Sequence, residues 1–192
     1  MNCIVIHGSN INDKERHTNP DYVTKNKKNW IPWIKEQLES KGIETFTPLM
    51  PNQWDPEYES WKQEFEKLKD KINEDTVLVG HSCGTAFLLR YLSETHIKIK
   101  KLILIAPAII PKGFTHYLKE FFNFKIDEKI KETIKEMVIF TSDNDSQPYL
   151  DSAKQLYEIF QCKLVEFKGY GHFVKKHMGA IEFPELLKEV LD

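Results

Sequence analysis

Cysteine is scarce in this chain, and its scarcity excludes a scaffold held together by disulfides. The three cysteines, at positions 3, 83 and 162 of 192 residues, are odd in number and show no paired spacing. Neither a disulfide framework nor a cysteine-based zinc site is therefore expected. Because unpaired cysteines are typical of a reducing compartment, we expect a cytoplasmic protein.

Long apolar runs and a large excess of one charge are also missing. No stretch approaches the roughly 20 apolar residues that a membrane-spanning helix needs. The amino terminus enters a short strand at once, without the basic region and apolar run of a signal peptide. The net charge is only −2, which gives no reason to expect a nucleic-acid partner. We expect neither a membrane nor a nucleic acid as a partner.

Short apolar strands and helical patterns alternate along the whole chain. A hydrophobic fraction of 41% with 29% charged residues is ordinary for a globular protein. Continuous apolar strands predict a mostly parallel sheet covered by helices on both faces. With no internal repeat or linker, we predict one α/β domain over residues 1–192 with about six strands. The predicted strands lie at 3–6, 44–47, 76–79, 102–105, 137–140 and 164–167.

Three segments call for separate predictions. The polar segment between Ser9 and Asn29 is long for a loop in a compact domain, and such loops are usually functional or mobile. The aromatic-rich segment 107–125 predicts a small cap over the sheet edge, with Phe121 and Phe122 covering the site. Residues 126–136 are predicted to form a charged helix.

The stretch 76–84 is the most informative part of the sequence. An apolar strand stops at Gly80, Ser82 and Gly84 follow, and a new apolar run begins at Ala86. This order of strand, sharp turn and helix matches the G-x-S-x-G nucleophile elbow. The alternative is an ordinary strand-to-helix turn with a capping serine, but the placement between a buried strand and a helix favours catalysis.

Reactive side chains follow four of the predicted strands. Ser9 follows the first strand and Ser82 the third, Asp143 and Asp145 follow the fifth, and His172 follows the last. In an open α/β sheet, sites form where the strands end. Serine, acid and histidine appear in the chain order of the α/β-hydrolase triad.

These residue types suit acyl transfer. A serine hydroxyl becomes nucleophilic when a base removes its proton, and a neutral imidazole does this near pH 7. A carboxylate fixes the imidazole tautomer, and backbone N–H groups hold the oxyanion. We predict Ser82 as the nucleophile and His172 as the base, with the N–H groups of Cys83 and Ser9 as the oxyanion hole.

Several neighbouring side chains compete for these roles. Asp143 lies closer to the strand end than Asp145, and both carboxylates are within reach of the histidine, so the residues alone leave the acid open. His177 is a second candidate base, in a basic turn. His7 is interpreted as a brace for the oxyanion loop and His81 as structural. The spacing of the histidines lacks the four-residue step of a helical metal pair, so neither a metal nor a cofactor is predicted.

The chain resembles the small serine hydrolases of the retinoblastoma-binding protein 9 and YdeN type, a compact branch of the α/β hydrolases. The resemblance covers nearly the whole chain. Its motifs are His7-Gly8, Asn29-Trp30-Ile31-Pro32-Trp33, Pro48-Leu49-Met50-Pro51-Asn52, Trp61, Val77 to Gly84, Leu104-Ile105-Ala106-Pro107-Ala108, Ser142 to Asp145 and Gly171-His172-Phe173. It implies a trimmed sheet of about six strands and a triad of Ser82, Asp145 and His172.

Two classes of function remain at this point. The first is a serine hydrolase that cleaves a small ester, thioester or activated amide through an acyl-enzyme. The second is a protein-binding member of the same fold without catalysis. The fold alone does not decide between them, because function resides in the site. The complete set of serine, acid, histidine and oxyanion loop favours the enzyme, with a small acyl compound as its partner.

Overall fold

The architecture is a parallel sheet between two layers of helices. The computed structural model describes residues 1–9, 29–109 and 118–192. In these ranges one sheet runs in the order β2-β1-β3-β4-β5-β6, with every neighbouring pair parallel. Its strands are β1 (Asn2–Ile6), β2 (Glu44–Phe46), β3 (Thr76–His81), β4 (Ile99–Ile105), β5 (Ile134–Ser142) and β6 (Lys163–Phe167). The predicted six-stranded compact α/β-hydrolase fold is confirmed.

The helices begin and end at residues that match their sequence patterns. Asn29 caps the first helix by accepting a hydrogen bond from the Ile31 N–H group at 2.7 Å, the usual role of asparagine at this position. The described helices are α1 (Trp30–Glu39), α2 (Tyr58–Glu66), α3 (Cys83–Thr95), α4 (Leu118–Phe121), α5 (Gln147–Phe160), α6 (Lys175–Met178) and α7 (Pro184–Leu191). In the described ranges, no helix combines the length and apolarity needed to cross a membrane.

The core consists of two apolar clusters, one on each face of the sheet. Successive residues of β1 alternate between them: Ile4 and Ile6 belong to one cluster, and Cys3 and Val5 to the other. This alternation follows from the two-residue side-chain period of a strand. Because helices cover both faces, both sets are apolar, and the strand reads as a continuous apolar run.

The predicted charged helix at 126–136 is wrong. Only a short 3-10 turn, Glu128–Glu132, forms there, and β5 already begins at Ile134. The reason is tertiary: Ile134 pairs with Ile99 of β4, and the Ile99 N–H group donates to the Thr133 carbonyl at 3.0 Å. Pairing with the neighbouring strand extends β5 beyond the apolar run 137–140.

The predicted cap falls partly outside the described residues. Positions 110–117 of the segment 107–125 lie there, as do residues 10–28 of the polar segment. The described aromatic residues Phe121 and Phe122 are buried in the core, 1% and 6% exposed. The Phe121 ring packs edge-on against Trp61 at 5.1 Å. These two residues are therefore part of the core, and the cap over the site stays a prediction.

Candidate active site

The carboxyl ends of β1, β3, β5 and β6 bring the predicted reactive side chains to one edge of the sheet. Ser82 stands in the turn between β3 and α3, with φ 53° and ψ −121°. A positive φ is uncommon for a residue with a side chain and marks a strained turn. The Ser82 N–H group donates to the Ile105 carbonyl at 3.0 Å. This bond ties the turn to the end of β4.

The two glycines of the elbow sit where a side chain would not fit. A Cβ atom at Gly80 would lie 2.9 Å from the carbonyl oxygen of Gly84 and from the N atom of Thr85. A Cβ atom at Gly84 would lie 2.8 Å from the His7 carbonyl oxygen. The close approach of β3, α3 and the end of β1 therefore requires glycine at both positions.

Three of the predicted residues form one hydrogen-bonded line. His172 Nδ1 lies 2.9 Å from Asp145 Oδ2, and His172 Nε2 lies 2.9 Å from Ser82 Oγ. A carboxylate can only accept, so Nδ1 carries the hydrogen and Nε2 accepts the hydrogen of Ser82. The side chains of Asp145 and His172 are 5% and 18% exposed. This arrangement can move the serine proton to the imidazole.

Asp143 has a different partner. Its Oδ1 accepts a hydrogen bond from the Gly169 N–H group at 2.8 Å. The neighbouring Ser142 Oγ accepts from the Tyr170 N–H group at 2.9 Å, and Asn144 Oδ1 accepts from the Gly171 N–H group at 2.7 Å. Three consecutive side chains, beginning with the last residue of β5, thus hold three consecutive N–H groups before His172. We call this set of contacts the loop clamp.

Three further side chains hold the backbone of His172 and Phe173. The Trp30 indole donates to the Phe173 carbonyl at 2.8 Å, and His81 Nε2 lies 2.9 Å from the His172 carbonyl oxygen. The His172 N–H group donates to Nδ1 of His177 at 2.9 Å. His177, the second candidate base, therefore contacts the backbone of His172, whereas Ser82 Oγ contacts the ring of His172.

The two buried histidines near the site stay neutral. Burial lowers the pKa of His81 to about 3, and the nearby His172 adds to this effect. The hydrogen of the neutral imidazole is on Nε2, because the His172 carbonyl oxygen can only accept. Burial lowers the pKa of His7 to about 4. His7 Nδ1 donates to the Gly8 carbonyl at 2.7 Å, and its Nε2 accepts from the Met50 N–H group at 2.9 Å. His7 therefore joins the loop after β1 to the loop after β2.

The two residues predicted for the oxyanion hole are neighbours. Ser9 Oγ lies 3.0 Å from Cys83 Sγ, and Cys83 is the first residue of α3. Burial is the main cause that raises the pKa of the Cys83 thiol. Since the thiolate is the nucleophilic form of cysteine, burial makes Cys83 a poor nucleophile. In the described ranges, no group of three or more histidine, cysteine, aspartate or glutamate side chains could hold a metal ion.

Sequence reasoning missed Tyr149 as a site residue. It reads as one apolar position of the helical stripe that it forms with Ala153, Leu156 and Phe160. In the structure its ring lies against the His172 ring, with 4.0 Å between the centroids. Its position four residues after Asp145, in the first turn of α5, is the signal that could have found it.

Comparisons with known proteins show the family of this chain. The family model described as serine hydrolase matches residues 18–191. YdeN of Bacillus subtilis (strain 168) is 29% identical over 153 residues, which are 76% of this chain and 78% of that protein. The serine hydrolase RBBP9 of Rattus norvegicus is 29% identical over 169 residues, 84% of each chain.

A solved structure supports the same relationship. The crystal structure of the ydeN gene product from B. subtilis superposes with a TM-score of 0.82 at 25% identity. The alignment covers 99% of this chain and 96% of that chain. The likeness therefore extends over the whole fold, including the strand ends at which the predicted side chains stand.

Proposed function

The chain belongs to the serine hydrolase family, and from this premise we propose that it cleaves a small ester, thioester or activated amide through an acyl-enzyme on Ser82. The observation that carries the proposal is the continuous hydrogen-bonded line from Asp145 through His172 to Ser82, with 2.9 Å at each step. These three groups supply a nucleophile, a base and an orienting carboxylate.

The proposed reaction has two steps. Ser82 Oγ attacks the acyl carbon while its proton passes to His172 Nε2, which then gives that proton to the leaving group. The bond between the acyl carbon and the leaving group breaks, and an ester forms on Ser82. In the second step, water loses a proton to His172 Nε2 and attacks the acyl carbon. The bond between that carbon and Ser82 Oγ breaks, His172 gives the proton to Ser82 Oγ, and the acid product leaves. Asp145 keeps Nδ1 protonated and stabilises the imidazolium.

The proposed oxyanion hole consists of the backbone N–H groups of Cys83 and Ser9. Cys83 starts α3, where free N–H groups and the helix dipole favour negative charge. The contact between Ser9 Oγ and Cys83 Sγ places the two residues side by side. His7 supports the arrangement because it fixes the carbonyl of Gly8, directly before Ser9.

Turnover of p-nitrophenyl esters of graded acyl length tests the proposal. Ser82→Ala should abolish hydrolysis across the panel, whereas the control Ser60→Ala, on the exposed side of α2, should retain it. Both variants should unfold with unchanged cooperativity. A wild-type protein that hydrolyses none of the panel and resists a fluorophosphonate would favour the non-catalytic binding protein instead.

A further inference from the structure

Tyr149 covers one face of the candidate base. Its ring lies on the His172 imidazole, with 4.0 Å between the centroids and 36° between the planes. Burial raises the pKa of Tyr149 to about 12, so the phenol keeps its proton at neutral pH.

The fold fixes Tyr149 in this place. Asp145 lies in the loop after β5, α5 begins at Gln147, and Pro148 stands at its second position. Tyr149 lies in that first turn and packs against the core cluster that contains Ala153 and Leu156. The same short segment thus supplies the carboxylate that holds one edge of the imidazole and the ring that covers its face.

We infer that Tyr149 is a positioning residue of this site, whose ring holds the His172 imidazole in the plane in which it contacts both Asp145 and Ser82. The inference rests on the proposed serine chemistry. Tyr149 acts on Ser82 through the imidazole.

The Tyr149 ring restricts the rotation of the His172 imidazole. The imidazole must face Asp145 on one side and Ser82 on the other, so rotation about its side-chain bonds breaks both contacts. An aromatic ring packed on its face resists that rotation, and an aromatic pair contributes about 1 kcal/mol beyond its buried area. A stacked ring also favours the imidazolium that forms during proton transfer.

Two substitutions separate the hydroxyl from the ring. Tyr149→Phe removes only the hydroxyl and keeps the ring, so it should label Ser82 with a fluorophosphonate within twofold of the wild-type rate. Tyr149→Leu also removes the ring and should lower that rate at least fivefold. On an ester substrate the loss should appear in kcat more than in KM. Tyr157→Phe, an exposed tyrosine on the same helix, should label at the wild-type rate.

The outcomes distinguish this inference from the proposed function. Equal rates for Tyr149→Phe and Tyr149→Leu, or a Tyr149→Leu rate within twofold of the wild type, would overturn the role of the ring. If Ser82→Ala still labels, the proposed function itself fails. If Ser82→Ala loses labelling while both Tyr149 variants react like the wild type, only the inference about Tyr149 is wrong.

Discussion

At the scale of single residues, two carboxylates that stand two positions apart have different partners. Asp145 contacts the imidazole of His172, and Asp143 contacts the backbone N–H group of Gly169. An aspartate that bonds to a backbone N–H group fixes a loop, and one that bonds to an imidazole sets a tautomer. The two side chains should therefore respond differently to the same substitution.

We expect Asp145→Asn to reduce kcat on one ester by about ten-thousand-fold, the size of this effect in chymotrypsin-type serine proteases, because the amide can hold the wrong imidazole tautomer. Asp143→Asn keeps an oxygen that can accept from Gly169, so its kcat should stay within a fewfold of the wild type. Cooperative thermal unfolding of both variants serves as the control. The assignment is reversed if the collapse appears only in Asp143→Asn.

The residues alone did not decide between these two aspartates. Both follow the same strand within two positions of each other, and distance along a chain does not specify which carboxylate meets a ring from another loop. Ser82 and His172 were predictable because each has a local signature, the elbow and the strand end. Tyr149 has only a weak signal, its place four residues after Asp145, since its side chain meets His172 through the packing of α5 on the sheet.

At the scale of elements, the loop clamp joins the loop after β5 to the loop after β6. The acceptors are the side chains of Ser142, Asp143 and Asn144, and the donors are consecutive backbone N–H groups that end at Gly171. Gly171 takes a positive φ of 50° directly before the candidate base. The clamp therefore sets the position of His172 relative to Asp145.

Asn144→Ala should lower kcat about tenfold or more, because it leaves the Gly171 N–H group without its partner and lets His172 shift. Asn144→Asp keeps the accepting oxygen and should restore most of the lost kcat. Steady-state kinetics of the two variants at one pH check this. Full activity in Asn144→Ala would show that the clamp does not position the base.

Strands and helices were predictable where the local sequence pattern specifies them, and less so where pairing with another strand decides. The apolar runs of β1, β3 and β4 predict strands because both faces of the sheet are covered. By contrast, isoleucine recurs at every fourth position among charged residues, at 126, 130 and 134, which favours a helix, although Ile134 pairs with Ile99. A local sequence pattern does not indicate a strand partner that lies more than thirty positions away in the chain.

At the scale of the whole molecule, a buried lysine ties the sheet to the last helix. The Lys101 side chain is 1% exposed, and its Nζ donates to the Glu189 carbonyl at 2.9 Å. It also lies 3.0 Å from a carboxylate oxygen of Glu136 and 3.4 Å from one of Glu189. Glu189 in turn pairs with Lys163 at 2.6 Å. This cluster lies away from the carboxyl ends of the strands.

Lys101→Ala should lower the free energy of unfolding by about 3 kcal/mol, because it takes one of two cations from the buried Glu189 carboxylate, leaves the Glu189 carbonyl without this donor and opens a cavity. Lys135→Ala breaks an exposed contact with Glu74 at 3.9 Å and should cost less than about 1 kcal/mol. Urea unfolding measures both values. Below the unfolding transition, Lys101→Ala should keep the wild-type kcat, and a large loss of kcat would contradict the separation of the two regions.

The neutral histidines near the site should make stability fall in acid. The pKa is about 4 for His7 and about 3 for His81, each below the ordinary value of about 6.5. As the pH falls below 6.5, the unfolded chain gains protons that the folded chain refuses, so stability decreases down to about pH 4 for His7 and pH 3 for His81.

Between pH 6.5 and 5, each histidine should cost about 2 kcal/mol of the free energy of unfolding. His81→Gln keeps a donor for the His172 carbonyl but cannot titrate, so its stability should fall less over this range than that of the wild type. Urea unfolding at several pH values gives the difference. The same pH dependence in both proteins would argue against a neutral His81.

The central claim is that Ser82 is the covalent nucleophile, and the site of adduct formation tests it most directly. The wild-type protein is treated with a fluorophosphonate, its intact mass is measured, and the modified peptide is sequenced by mass spectrometry. The account predicts one adduct per chain on Ser82, no adduct in Ser82→Ala, and much slower formation in His172→Ala with His177→Ala less affected. An adduct on another residue, or undiminished labelling of Ser82→Ala, would contradict it.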